Sequence, residues 1–148
     1  MRRFEIQPKV GLGPIRFGMT RAEVRAELGA PESEHDEREW YLEDMAVDFD
    51  ADGRVEFIET AESAHFEVVF MDSNMHAIAA DAAVVLLQTV APYDDSAPEL
   101  GYSYIFPSIQ LSLWRPVIPD DEQDPEDPNG RRFEAIGIGR EGYFGRQK

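Results

Sequence analysis

Twelve consecutive residues, Asp48 to Glu59, carry oxygen-bearing side chains in the order a calcium loop requires. Asp48, Asp50, Asp52, Glu56 and Glu59 stand at its first, third, fifth, ninth and twelfth positions, with Gly53 at the sixth and Val55 at the eighth. Calcium is a hard cation that gathers roughly six to eight oxygens, and a bidentate Glu closes such a shell. The flanks argue against that use. An entering helix needs apolar residues four and five places before Asp48, where Asp44 and Glu43 stand. The chain beyond Glu59 leads into Phe66-Glu67-Val68-Val69-Phe70, a strand signal, and the second half has no partner loop. A hairpin accounts for the same residues without a metal, and calcium binding by Asp48, Asp50, Asp52 and Glu59 is the alternative reading. No cofactor or metal is otherwise expected.

The remaining chemistry-bearing residues form no catalytic pattern. His35, His65 and His76 lack ligand spacing and have no nucleophile beside them. Ser103, Ser108 and Ser112 fall in or beside strand-like runs without a nucleophile elbow. Gly11-Leu12-Gly13 lacks the later glycine and the helix of a phosphate loop. Cysteine is absent from the 148 residues, which excludes disulfides and thiolate chemistry. Thirty carboxylates against fourteen basic residues give a net charge of −16, which repels nucleic-acid phosphates. The acids concentrate in residues 32–62, where thirteen stand against Arg38 and Arg54, and again in Asp120 to Asp127. Such runs serve as solvated faces, or as electrostatic surfaces for a basic protein partner. No apolar run can span a bilayer or serve as a secretory signal, so a cytoplasmic protein without membrane contact is expected.

The elements that position these residues begin with one strong local signal. Thr20 and Glu23 have capping-box spacing, Met19 and Val24 staple spacing, and Gly29 and Pro31 end the run. The spacing predicts a helix over 20–28 that buries Val24 and Leu28. Strands are expected at Glu39–Glu43, Met45–Asp50 and Arg54–Thr60. A three-residue loop, Ala51-Asp52-Gly53, pairs Phe49 with Val55 and Val47 with Phe57, so that Phe57 joins Met45, Val47 and Phe49 on one face while Asp48 and Glu56 share the other. A strand over Phe66–Met71 follows. In the second half, a helix over Asp81–Val90 with Asp81 as N-cap precedes strands at Tyr102–Phe106, Ile109–Trp114 and Arg132–Gly139. Trp114 falls out of phase with Ile109, Leu111 and Leu113 and so points to the opposite face. Trp and Arg dominate interface hot spots, which makes Trp114 and the adjacent Arg115 candidate anchors. Trp40, Tyr41, Tyr143 and Phe144 belong by default to packing.

The second half echoes the first. A shift of 61 residues sets Thr20 on Asp81, Val24 on Val85 and Ala30-Pro31 on Ala91-Pro92, and the strands align with a few insertions: Met45, Val47 and Phe49 on Ile109, Leu111 and Leu113, and Arg54 to Ile58 on Arg132 to Ile136. The expected fold is therefore α+β: two tandem repeats, 1–71 and 72–148, each a short helix packed on an antiparallel meander, sharing one body. A sheet covered by helices on one face leaves the other for binding.

The run Phe17-Gly18-Met19-Thr20, Glu23-Val24, Leu28-Gly29 and Pro31 resembles the helix motif of the β-lactamase-inhibitor-protein superfamily, which also holds small outer-membrane assembly lipoproteins and uncharacterised bacterial proteins. The tandem plan extends the likeness to most of the chain. Those inhibitors carry disulfides and the lipoproteins an anchoring cysteine, and this chain has neither, so neither activity is carried over. What the resemblance implies is a protein-binding scaffold. The expected function is a non-enzymatic binding protein, an inhibitor or immunity protein neutralising a basic bacterial toxin, with Asp48, Asp50, Glu56, Trp114 and Arg115 as partner-binding residues.

Overall fold

A computed structural model describes residues 1–145; the last three residues of the expected second repeat lie outside it. It contains two helices and two sheets, an α+β arrangement in which strands predominate. The strands are β1 (Arg2–Gln7), β2 (Gly11–Leu12), β3 (Ile15–Arg16), β4 (Ser33–His35), β5 (Arg38–Tyr41), β6 (Met45–Phe49), β7 (Val55–Thr60), β8 (Phe66–Phe70), β9 (Ser73–Asn74), β10 (Ser103–Phe106), β11 (Leu111–Trp114) and β12 (Ala135–Gly139). The helices are α1 (Arg21–Leu28) and α2 (Ala80–Gln88).

Helix α1 forms where local chemistry requires it. Thr20 caps it, its hydroxyl accepting from the Glu23 amide while the Glu23 carboxylate accepts from the Thr20 amide, and Gly29 at φ 88° ends it. Helix α2 has Ala79 at its N-cap, two residues before the expected Asp81, and ends at Gln88 instead of Val90. Asp81 lies inside its first turn, and no side chain caps it. The Ala80 amide instead donates to the Arg131 carbonyl, so a tertiary bond does the work of a cap.

Seven antiparallel strands make the large sheet, in the order β10-β11-β12-β7-β6-β5-β4. Two meanders, β5-β6-β7 and β10-β11-β12, meet edge to edge where β7 pairs with β12. On one face, Glu39, Tyr41, Met45, Val47, Phe49, Ile58, Thr60, Leu111, Leu113, Ile136 and Ile138 are all buried. Helix α1 lies over part of this inner face: the Arg21 guanidinium sits 4.6 Å from the Phe49 ring centre, and Arg21 and Arg25 both reach Glu39. Burial alone would raise the pKa of Glu39. Hydrogen bonds from Tyr41 and Arg25, with the charges of Arg25 and Arg21, outweigh it and hold the carboxyl below its ordinary range.

The β6–β7 hairpin corrects the expected register. Phe49 faces Val55 and Gly53 takes φ 76°, as the loop chemistry requires. A bulge then sets Asp48 opposite Phe57 and Val47 opposite Ile58. The extra residue on β7 is Glu56, and from there Phe57 points to the outer face while Ile58 and Thr60 take the core.

A second, five-stranded sheet, β3-β2-β1-β8-β9, was not expected from the sequence; β1 and β8 pair in parallel across more than sixty residues of chain. The boundary placed between 71 and 72 falls inside the tight β8–β9 hairpin, where Met71 and Asp72 both have positive φ. One continuous core draws Phe4, Ile6, Val68 and Val24 from the first half and Ala83, Leu87, Leu111 and Phe133 from the second.

His76 locks three of these parts together and is 3% exposed. Its Nδ1 donates to the Phe133 carbonyl at 3.0 Å, so in the neutral ring Nε2 accepts from the Thr60 hydroxyl at 2.9 Å. Burial is the main cause of a pKa below 6.5, opposed in part by the Phe133 carbonyl, Glu62 and Asp44. The unfolded chain therefore takes up this proton first as pH falls. Stability from the neutral ring is complete above about pH 6.5 and drains away as pH falls through the folded value. Urea unfolding between about pH 7.5 and 5.5 is expected to show this loss, with a slope of at most about 1.4 kcal/mol per pH unit from this group. In His76→Gln, less stable throughout, that component of the slope disappears.

Candidate functional site

The outer face of the large sheet is the one the helices leave uncovered. Its cross-strand row runs Ile105, Ser112, Gly137, Glu59, Ala46, Trp40, from β10 to β5. Ser112, Gly137 and Ala46 are small, so the row forms the floor of a trough, and Glu59 is its one ionised side chain. One wall rises from the parallel row Ser103, Trp114, Ala135. The other comes from Phe57, against which Tyr143 stacks at 4.5 Å between ring centres, with Phe144 edge-on at 5.9 Å.

Glycines make that second wall possible. A Cβ on Gly137 would sit 2.4 Å from the Ser112 hydroxyl and 2.7 Å from the Phe57 ring; one on Gly139 would sit 2.8 Å from Tyr143 Cβ. Their bare backbone lets the rings lie flat on the sheet. The cavity over Ser112 and Glu59 measures about 510 Å³, and Ala97, Pro98 and Glu99 close its rim. Among the described residues its lining holds two carboxylates, Glu59 and Glu99, and no basic residue.

Glu59 accepts from Arg38 at 3.2 Å, and the same guanidinium grips both oxygens of Asp48 at 2.6 and 3.0 Å. The Asp48 bond is the main cause of an arginine pKa raised above its ordinary value. One fixed positive charge thus serves two carboxylates, and the trio keeps an excess negative charge on the face.

The partner-binding residues expected from the sequence divide. Trp114 stands on the open face, 40% exposed. Asp48 is on the same face but held by Arg38. Asp50 and Glu56 lie at the far end of the hairpin with Arg140, at 2.7 and 3.4 Å. Asp50 also accepts from the Asp52 and Arg54 amides; the Arg54 amide is the first of the causes, with Arg140 next, that hold its pKa below the ordinary value. Arg115 is a correction: it is 5% exposed and points inward, donating to the Gly101 and Gly130 carbonyls over the Phe133 ring. Its fork is occupied by the chain's own backbone and is turned away from the trough. Ser112, Gly137 and Tyr143 were not among the candidate site residues, and Glu59 entered only as a ligand in the calcium alternative. The paired glycines inside a strand were the readable signal, since they mark close approach.

The calcium-loop residues form a hairpin. Asp48 is engaged by an arginine and Asp50 by turn amides and Arg140. Among the described residues no three carboxylates or imidazoles gather as a metal site. Also among them, no helix is long and apolar enough to cross a membrane. Comparison of the chain with protein-family models, curated proteins and solved structures finds no match. Millimolar calcium is expected to leave the thermal unfolding midpoint and the Asp48–Glu59 amide resonances unchanged; a saturable shift of both would establish the calcium reading instead.

Proposed function

We propose that the protein is a non-enzymatic protein-binding module of the inhibitor or immunity class, and that it docks a basic protein partner on the uncovered face of the large sheet. The observation that carries this reading is Trp114: a large aromatic, 40% exposed, standing on a sheet face beside a groove lined by aromatic rings and carboxylates. An exposed Trp beside a groove with aromatic walls is the composition of an interface anchor. The acidic surplus steers a basic partner and fades with salt.

The same reading takes the chain as two helix-plus-meander units. Ile58 pairs with Ile138, Glu59 with Gly137 and Thr60 with Ile136. Setting Ile58 on Ile136 sets Thr60 on Ile138 and returns the same ladder, with Glu59 and Gly137 at the centre. The remaining matches then move. Met45 and Val47 fall on Leu111 and Leu113, which face Ile138 and Ile136 as Met45 and Val47 face Thr60 and Ile58. Buried Val24 cannot match Val85, which is 62% exposed; a shift of 59 sets Val24 on Ala83 and Leu28 on Leu87. Ala30-Pro31 still falls on Ala91-Pro92 at a shift of 61, two residues out of step with the helices; α2 is one residue longer than α1, which accounts for one of the two.

The test is affinity capture with immobilised wild-type protein, Trp114→Ala and, as a control on α2, Val85→Asp. A basic protein held by wild type and by the control is expected to be lost from Trp114→Ala, with binding weakened at least about tenfold and reduced by salt. Equal retention by Trp114→Ala, or loss with the α2 variant alone, contradicts the assigned face.

A further inference from the structure

The trough has features that go further than a generic docking face. Its floor is almost bare of side chains: Ser112, Gly137 and Ala46 flank a single carboxylate. Glu59 keeps 38% of its side chain exposed even with Arg38 bound. Ser112 Oγ lies beside it across Gly137, about 10 Å away at the backbone by strand spacing. Trp114 stands on one side and the Phe57–Tyr143 stack on the other. Glu99 at the rim adds the second negative charge, and among the described residues no cation lines the space.

Resting on the docking role proposed above, we infer that this trough receives one arginine side chain from the protein partner, its guanidinium meeting Glu59 between Trp114 and Tyr143. The chemistry is selective in three ways. A carboxylate at the bottom of an aromatic slot favours a cation over a neutral group. Aromatic faces attract a cation through their quadrupole. A planar, weakly hydrated guanidinium stacks on rings and spreads its donors to more than one acceptor, here the Glu59 carboxylate and the Ser112 hydroxyl that leans over Gly137, which a compact, strongly hydrated ammonium does less well. The Arg38–Asp48 pair fixes the opposite side of Glu59, so its carboxylate is already oriented before the partner arrives.

The experiment titrates the full chain with an acetylated, amidated Gly-Gly-Arg-Gly-Gly peptide, its lysine counterpart, its citrulline counterpart and arginine amide. The readouts are the Gly137 amide and the Trp114 indole resonance, the latter assigned with Trp114→Phe. The arginine peptide is expected to give saturable shifts at both. The citrulline peptide, which has the same shape without charge, binds at least about tenfold more weakly, and the lysine peptide falls between them. Glu59→Gln weakens the arginine peptide at least about fivefold and leaves the citrulline peptide unchanged. Its Arg38–Asp48 pair is retained, and amide resonances outside the trough verify the fold.

Equal binding of arginine and citrulline peptides, or shifts confined to Asp120–Asp127, overturns the inference. Arginine amide binding as tightly as the peptide overturns the protein source and points to a small free cation. A protein captured in a Trp114-dependent but Glu59-independent manner removes the arginine and leaves the docking reading standing. Arginine-peptide binding without any Trp114-dependent protein capture does the reverse.

Discussion

The pairing of β7 with β12 is the constraint on which the rest depends. Each meander by itself ends in an open strand edge with unpaired amides and carbonyls. Joining the two edges removes both and produces one seven-stranded sheet. Register then decides everything on either side, because side chains alternate. With Glu59 opposite Gly137, Ile58, Thr60, Ile136 and Ile138 enter the core and the bare glycine row faces out. A slip by one residue on either strand would bring a charged or empty position inward and close the trough with isoleucines. Core and candidate site are thus two consequences of one alignment of hydrogen bonds.

The molecule's acidity is far from evenly displayed. Glu39 is consumed by Arg21, Arg25 and Tyr41 beneath α1. Asp50 and Glu56 share Arg140 at the hairpin end. In the loop beyond β11, Asp120, Asp124 and Asp127 accept from backbone amides two or three residues on, so several of its carboxylates hold turns. What is left over at the sheet face is the imbalance of Arg38 against Asp48 and Glu59, half-buried beside a wall of aromatic rings. Charge in that setting is screened less than on an open surface and carries more weight for recognition.

Elements whose causes are local could be read from the chain. α1 was legible down to its caps, because Thr20, Glu23 and Gly29 act within one turn of themselves. The outward direction of Trp114 followed from alternation alone. The bulge at Glu56 did not, because Glu56-Phe57-Ile58 fits either phase until the aromatic segment at 143–144 is known to cover Phe57. The start of α2 depends on a carbonyl about fifty residues away, and β1 pairs in parallel with a strand beyond residue 65, so neither had a local signature. Arg115 misled for the same reason: its acceptors, Gly101 and Gly130, come from two loops distant in sequence.

The docking face itself is most directly tested by cross-saturation of the labelled protein in complex with its captured partner, in which irradiating the partner attenuates only the protein groups it touches. The account predicts attenuation of the Trp114 indole and of the side chains of Ser112, Ile105 and Tyr143, with α1 and α2 unaffected. Attenuation confined to the helices, with Trp114 untouched, would contradict it.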